Sequence, residues 1–330
     1  MGSSSDRIIP PSLLASLQSA ADASGFVSFE TFMDLALYHP EVGYYTSRRE
    51  RVGRSASTDF YTASSLGPVF GELVVAVIET KLGARPASDY TFVEIGAESG
   101  RSILDQVTHP FRTIRRIGVH DKPELSGPCI VFSNELFDAQ PCSRYLRAPD
   151  GWLERGVHLV DGALRETVRP ASSIDSARLP FDSPPGYQLD APRRAQILAQ
   201  SIASDPWQGL FIAFDYGKTW QALTHEWPVG TVRAYHRHTQ TNDLLARPGT
   251  QDLTCHICWD WIQSALEENH FQVDSVSSQE AFFVKNAASA LARIMQEEAQ
   301  RLSPRKSGLM QLIHPSALGQ KFQGLTAWRD

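Results

Sequence analysis

Cysteine is scarce in this chain, with 4 thiols among 330 residues. A chain of this length buries enough apolar surface to fold without covalent staples. The four cysteines therefore read as intracellular thiols and not as a disulfide framework. Basic residues are in deficit too: 31 Lys+Arg against 37 Asp+Glu leave a formal charge of -6. That balance argues against a general phosphate-binding surface, so no nucleic-acid partner is expected. Long apolar runs are missing as well. The most apolar stretch, Pro68 to Ile78, is short and carries Glu72, whereas a spanning helix needs about 20 mostly apolar residues. No membrane partner is expected. The start, MGSSSDRIIPPS, lacks a basic segment followed by an apolar one, which argues against a secretory signal and makes the cytoplasm the expected compartment. There is no G-x-x-x-x-G-K-[ST], no G-x-S-x-G and no H-E-x-x-H, so phosphotransferase, α/β-hydrolase and zinc-protease chemistry lose their usual support.

What is present patterns as an α/β protein. Leu13, Leu14 and Leu17, then Phe29, Phe32, Met33 and Ala36, recur at helical spacing and predict helix over 12–38, with Ser28 capping the second part. A helix is predicted from Val69 to Leu82, ended by Gly83 and Pro86. Tyr90–Ile95, Cys129–Ser133 and Leu210–Asp215 are near-continuous apolar strands separated by helical patterns, which predicts a parallel sheet covered on both faces. Ligands bind beyond the carboxyl ends of such strands. Further expectations are a helix over Ser99–Val107, a short strand over Ile114–His120, a hairpin about Asp161-Gly162, a helix over Ala191–Ser204 and a loop-like region from Trp220 to Thr254. Helices are expected over Trp259–Asn269 and Ala287–Arg301, and a last strand over Phe322–Trp328. Residues 1–88 are expected as a helical extension packed on an α/β domain of residues 89–330. That domain carries insertions at about 150–205 and 218–258.

Three segments carry chemistry. In VEIGAESG, Val93 to Gly100, a strand ends on Glu94 and is followed by Gly96 and Gly100. Such a turn suits a nucleotide-type ligand, and it also suits an ordinary strand-to-helix connection. In SNELFDAQP, Ser133 to Pro141, three polar groups (Asn134, Glu135 and Asp138) gather where a buried strand ends. They could hold a cation or accept a proton, or they could cap a helix. Cys255 and Cys258 form C-x-x-C near His236 and His238, but a closed zinc site needs a matching second pair. No metal is expected. Arg48, Arg49, Arg51 and Arg54 read as a solvated loop.

In order along the chain stand LALYHPEVGYYT (Leu35–Thr46), DFYTA (Asp59–Ala63), FGE (Phe70–Glu72), VEIG (Val93–Gly96), NELFDAQP (Asn134–Pro141), FDYG (Phe214–Gly217), RAYHRH (Arg233–His238) and LARPGTQDLT (Leu245–Thr254). Taken together they resemble the MidA family of S-adenosylmethionine-dependent methyltransferases, over nearly the whole chain. That family includes the mitochondrial arginine methyltransferase needed for assembly of respiratory complex I. The resemblance implies a class I methyltransferase (Rossmann-like) core, with a mostly parallel seven-stranded sheet. It implies S-adenosylmethionine as cofactor and a protein substrate, with arginine as the methylated residue. Carried over position by position, Glu94, Gly96, Gly100 and Asn134 would hold the cofactor, with Asp121 as a substitute for the family's ribose-binding acid. Glu135 and Asp138 would do the catalytic work, and His39, Asp59 and Tyr61 would face the substrate.

The sequence also departs from that family. The middle glycine of the loop is Glu98, and Ser64, Ser65, Leu66 and Gly67 stand where the family has Pro-Glu-x-Ser. Only 33 residues separate Gly100 from Asn134, where helix, strand, helix, strand, helix needs roughly 60. Asp121 lies about 20 residues past the loop, where a ribose-binding acid belongs; alternatively, Ile117–Asp121 belongs to the strand after the deletion. A degenerate relative acting as a binding or assembly factor is the competing reading. A carboxylate about 4 Å from that of the cofactor's methionine end would weaken binding by on the order of 1–4 kcal/mol. Glu98→Gly is accordingly expected to tighten S-adenosylhomocysteine binding several-fold in calorimetric titration, and equal affinities would show that Glu98 turns away from the ligand.

Overall fold

The computed structural model describes residues 8–47, 63–97, 101–119, 121–160, 162–300 and 303–330. A seven-stranded sheet organises it: β1 Thr91–Ile95, β2 Thr113–Ile117, β3 Gly127–Asn134, β4 Trp207–Asp215, β5 Gln272–Val273, β6 Ser277–Ser278 and β7 Gln323–Arg329. Across the sheet the order is β5-β7-β4-β3-β1-β2, with β6 also on β7. β2, β1, β3 and β4 run parallel, and β7 is antiparallel to β4. Side chains alternate between the faces, as the pleat requires. Phe92, Ile130, Phe132, Ile212 and Phe214 join the helices Val69–Leu82, Gln279–Asn286, Ala288–Glu297 and Pro304–Ile313 on one face. Val93, Val131, Phe211 and Ala213 join Arg193–Ser204 and Trp259–Glu267 on the other. This is the parallel, doubly covered α/β sheet that the three apolar strands predicted, and it agrees with the class I methyltransferase core that the family resemblance implies.

A second, antiparallel sheet pairs Phe26–Ser28, Ser143–Ala148, Gly151–Val160, Ala163–Pro170 and Gln188–Ala191. The helices Pro11–Ala20 and Phe29–Tyr38 pack against it and against Val232, Ala234 and Leu253. Ser28 caps the second of these helices, its side chain accepting the Thr31 N–H. The turn Asp22–Gly25 and the strand Phe26–Ser28 break the helix predicted over 12–38, because Asp22 takes the Ser24 and Phe26 N–H groups that a helix would use. The buried pair Arg144–Asp190, at 2.9 Å, joins the second sheet to the loop before Arg233–His236, where Asp190 also accepts the Thr231 and Val232 N–H groups.

Three expectations are corrected. Residues 101–107 form turns and not the helix expected over Ser99–Val107, because Asp105 accepts the Ser102 N–H and Glu94 the Ile103 N–H. The region Trp220–Thr254 contains a helix, Trp220–His225, and a small sheet of Arg233–His236, Thr239–Thr241 and Asp252–Thr254. Ile117 pairs with Ile95, so Ile117 ends the strand directly beside β1, and Gly118, Val119 and Asp121 follow that strand and belong to no later one.

Gly71 fixes the helix Val69–Leu82 against the β1–β2 crossover. A Cβ there would collide with the Ile103 carbonyl, and backbone yields poorly to overpacking. Gly71→Ala is expected to destabilise the protein by about 1–3 kcal/mol in urea unfolding; a loss under about 0.5 kcal/mol would show that the crossover gives way.

Candidate active site

One cleft of about 2640 Å³ opens beyond the carboxyl ends of the parallel strands. At its β1–β2 end, Gly96 takes φ 79 and donates to the Ile117 carbonyl at 2.9 Å. A Cβ at Gly96 would press on Leu136 at 3.0 Å, so glycine lets this turn lie against the NELFDAQP segment. Glu94 is buried and accepts the Ile103 N–H at 3.2 Å. Burial, chiefly, pushes its carboxyl up to about 7. Its first task is thus to hold the returning crossover, and it lines the cleft from there. Asp121 lies at the same edge and accepts the Gly118 N–H at 2.8 Å. Ile95, Ile117, Val119, Leu136, Ile197 and Leu198 supply apolar lining.

Asn134 and Glu135 stand where β3 leaves the sheet. The Asn134 amide donates to the Glu135 carboxylate at 3.0 Å, while its buried carbonyl oxygen has no hydrogen-bond partner among the described residues. Glu135 takes the left-handed φ of 53, and Ala63, which ends the DFYTA segment, gives its backbone N–H to the carboxylate. No helix begins here: 135–140 is a run of bends and turns, which removes the helix-cap reading of these acids.

Beyond Glu135 the cleft is acidic. Asp138, Asp215 and Asp252 are all buried. Burial first, then the neighbouring carboxylates Asp215, Glu135 and Asp252, hold the Asp138 carboxyl well above its usual range. Glu135 keeps part of its surface open to the cleft, but the protein crowded around it pushes the carboxyl up to about 8, with Asp215 and Asp252 adding repulsion. Burial also lifts Asp215 to about 7, against the pull of backbone N–H donors. Carboxylates gathered this way resist ionising together and favour a shared proton or a bound cation. Tyr38 and Tyr45 stack with ring centroids 5.6 Å apart along this wall. The Tyr45 hydroxyl donates to Asp252 at 2.9 Å, and the Tyr38 hydroxyl to the Ala139 carbonyl at 3.0 Å.

Glu94, Gly96, Asp121, Asn134, Glu135 and Asp138 therefore line one cleft. His39 does not. Its ring takes the Glu41 N–H at 3.2 Å and meets the Ser16 hydroxyl at 3.1 Å, so it shapes the YHPEVGYY turn while Tyr38 and Tyr45 face the cleft. Asp59, Tyr61, Glu98 and Gly100 lie outside the described residues, as do Arg48, Arg49, Arg51 and Arg54. Cys255 and Cys258 are buried in two different apolar clusters. Reasoning on the sequence passed over Asp215 and Asp252 as site residues, although both stand in the FDYG and LARPGTQDLT segments. Asp215 was visible as the acid that ends a buried strand. Asp252 carried no local signal, because only the fold of 233–254 brings it to the cleft.

The family model for S-adenosyl-L-methionine-dependent methyltransferases matches residues 71–277. The protein arginine methyltransferase NDUFAF7, mitochondrial, of Danio rerio is 23% identical, with 97% of this chain and 88% of that protein covered. Its namesake in Homo sapiens is 20% identical over 94% of this chain and 82% of its own. Among solved structures, a protein of Burkholderia thailandensis bound to S-adenosyl-homocysteine superposes with a TM-score of 0.82 at 24% identity, covering 98% of this chain and 95% of that one. At that identity the likeness speaks for the fold.

Carboxyls raised on folding bind protons more tightly in the folded chain than in the unfolded one. The stability they contribute is complete below the unfolded value, near 4.5 for Glu135, and is lost as pH rises through the folded values of about 7 to 8. The unliganded protein should thus melt at falling temperature between about pH 5 and about pH 9. Glu135→Gln should flatten that fall by at least about 1 kcal/mol. Coincident profiles for the two proteins would show that Glu135 is ionised throughout.

Proposed function

This chain belongs to the family of S-adenosyl-L-methionine-dependent methyltransferases, and we propose that it methylates a protein side chain, arginine, held in the acidic half of its cleft. One observation carries the reading. The turn 135–138 brings Glu135 and Asp138 into the same cleft as Gly96, Asp121 and Asn134, so the residues fit for a nucleoside cofactor and those fit for a cation are neighbours.

The residues of the β1–β2 end suit S-adenosylmethionine. Gly96 leaves the backbone open, Asp121 sits where a ribose acid belongs, and the unpartnered Asn134 carbonyl oxygen awaits an N–H donor. When bound, S-adenosylmethionine supplies an electrophilic methyl group, and the protein has mainly to align the acceptor with it and exclude water. Glu135 and Asp138 orient the guanidinium, offset its charge and accept the proton that the methylated nitrogen sheds. The Glu135 carboxyl, raised to about 8, suits a proton acceptor working near neutral pH. The stacked rings of Tyr38 and Tyr45 offer a flat wall to the same cation. A protein substrate is supported by the curated relatives, which carry the name protein arginine methyltransferase. We also propose that residues 1–88 serve as the substrate-facing extension of the domain, since Tyr38, Tyr45 and Ala63 reach the acidic half.

Isothermal titration with S-adenosylmethionine and S-adenosylhomocysteine should give micromolar binding. Transfer of labelled methyl to arginine-containing peptides should fall about 100-fold or more in Glu135→Gln, with cofactor affinity held within about threefold. No binding at millimolar ligand would overturn the enzyme reading and leave a binding or assembly factor on the same scaffold.

A further inference from the structure

Asp215 closes β4 with its carboxylate fully buried. It accepts the Phe137 N–H at 2.9 Å and the Tyr216 N–H at 2.8 Å. One oxygen therefore holds the middle of the turn 136–138 from another strand, while the other holds the exit of β4 itself. The turn needs such an anchor, because Glu135 sits in the left-handed region that a glycine would normally fill. Two backbone bonds complete the clamp: Glu135 N–H to the Phe214 carbonyl at 3.0 Å, and Cys255 N–H to the Asp138 carbonyl at 2.8 Å.

We infer that Asp215 is a positioning residue for the methyl transfer: it shapes the turn that presents Glu135 and Asp138, and its negative charge opposes theirs. This rests on Glu135 and Asp138 being the receptor for the substrate cation. Asp215 itself touches only backbone through its hydrogen bonds, so it acts through those two. The titratable groups facing Asp215 are Glu135 and Asp138 on the turn and Tyr216 at its own strand's exit. Asp138 is faced in addition by Asp252 and Tyr235, and by Tyr38 and Tyr45, and Tyr235 is faced by Arg233. Among the charges acting on Asp138, Asp215 is the foremost. Removing that charge while keeping the side chain's shape should make Glu135 and Asp138 easier to ionise.

The test is binding of N-acetyl-L-arginine methylamide to the S-adenosylhomocysteine-loaded protein, measured from about pH 6 to about pH 9. Wild-type affinity should rise with pH as the receptor carboxylates ionise. Asp215→Asn should move the midpoint of that rise down by about one pH unit, with S-adenosylhomocysteine affinity unchanged. An unmoved midpoint in a protein that merely melts earlier would make Asp215 a structural residue and overturn the inference. If the wild type binds no N-acetyl-L-arginine methylamide, the arginine reading fails while the inference about Asp215 is still decided. The pH dependence of melting must then shift downward in Asp215→Asn, and coincident curves would refute it. Should Asp215→Asn not fold, amide exchange in the wild type decides: slow exchange at Phe137 supports the anchor, and exchange at the rate of an open turn overturns it.

Discussion

Everything at the cleft depends on the register of three parallel strands. Ile95 stands opposite Ser133, and Ser133 opposite Ala213. That alignment brings the ends of β1, β3 and β4 to one edge of the sheet, with Asn134 opposite Phe214 and Asp215 one residue beyond it. In a parallel sheet, loops on this edge reach the cleft and loops on the other do not. The side-chain alternation then does the rest. Val93, Val131 and Phe211 face one helical layer, while Phe92, Phe132 and Phe214 face the other. A slip of one residue in β3 would exchange these faces and carry Glu135 out of reach of Ala63 and the Phe214 carbonyl.

The acidic half is built from segments far apart in the chain. Tyr38 and Tyr45 come from the N-terminal region, Glu135 and Asp138 from the exit of β3, Asp215 from β4 and Asp252 from the small sheet. Gly249 is one place where they must meet: a Cβ there would strike the Val42 carbonyl, and its φ of 83 also favours glycine. The YHPEVGYY turn can therefore lie directly on the LARPGTQDLT segment, which sets the Tyr45 hydroxyl on Asp252. Tight backbone contact and a buried tyrosine–carboxylate bond thus explain why these distant segments belong to one site.

The parts of this arrangement legible in the sequence were those dictated locally. Near-continuous apolar runs announced β1, β3 and β4, and Gly83 marked the end of the helix Val69–Leu82. Glu135 and Asp138 could be picked out because acids beside a strand's end are conspicuous. Others were hidden for physical reasons. The helix pattern at 99–107 was outweighed by Glu94 and Asp105, whose carboxylates take N–H groups of that segment. His39 looked available for chemistry, yet one ring nitrogen takes the Glu41 N–H of its own turn and the other meets the Ser16 hydroxyl of the helix Pro11–Ala20. Asp252 is an ordinary acid in sequence, and only the pairing of Asp252–Thr254 with Arg233–His236 gives it a role.

The short crossover after β1 has its own physical logic. With 33 residues between Gly100 and Asn134, the sheet gains only β2 beyond β1 and ends there. An edge strand in that place must be kept from pairing with other chains, and charged side chains do this. β2 reads TIRRI, with Arg115 and Arg116 exposed. Both arginines also tie down the shortened segment: Arg116 pairs with Asp105 on the crossover, and Arg115 donates to the Glu124 carbonyl at 2.9 Å. Ile103 is gripped from two sides, by Glu94 through its N–H and by the close approach of Gly71 at its carbonyl. Residues that would otherwise sit beneath further strands are thus held by hydrogen bonds to β1 and β2. The short crossover therefore leaves Gly96 and Asp121 at the cleft edge, with the described sheet bordered there by charged side chains.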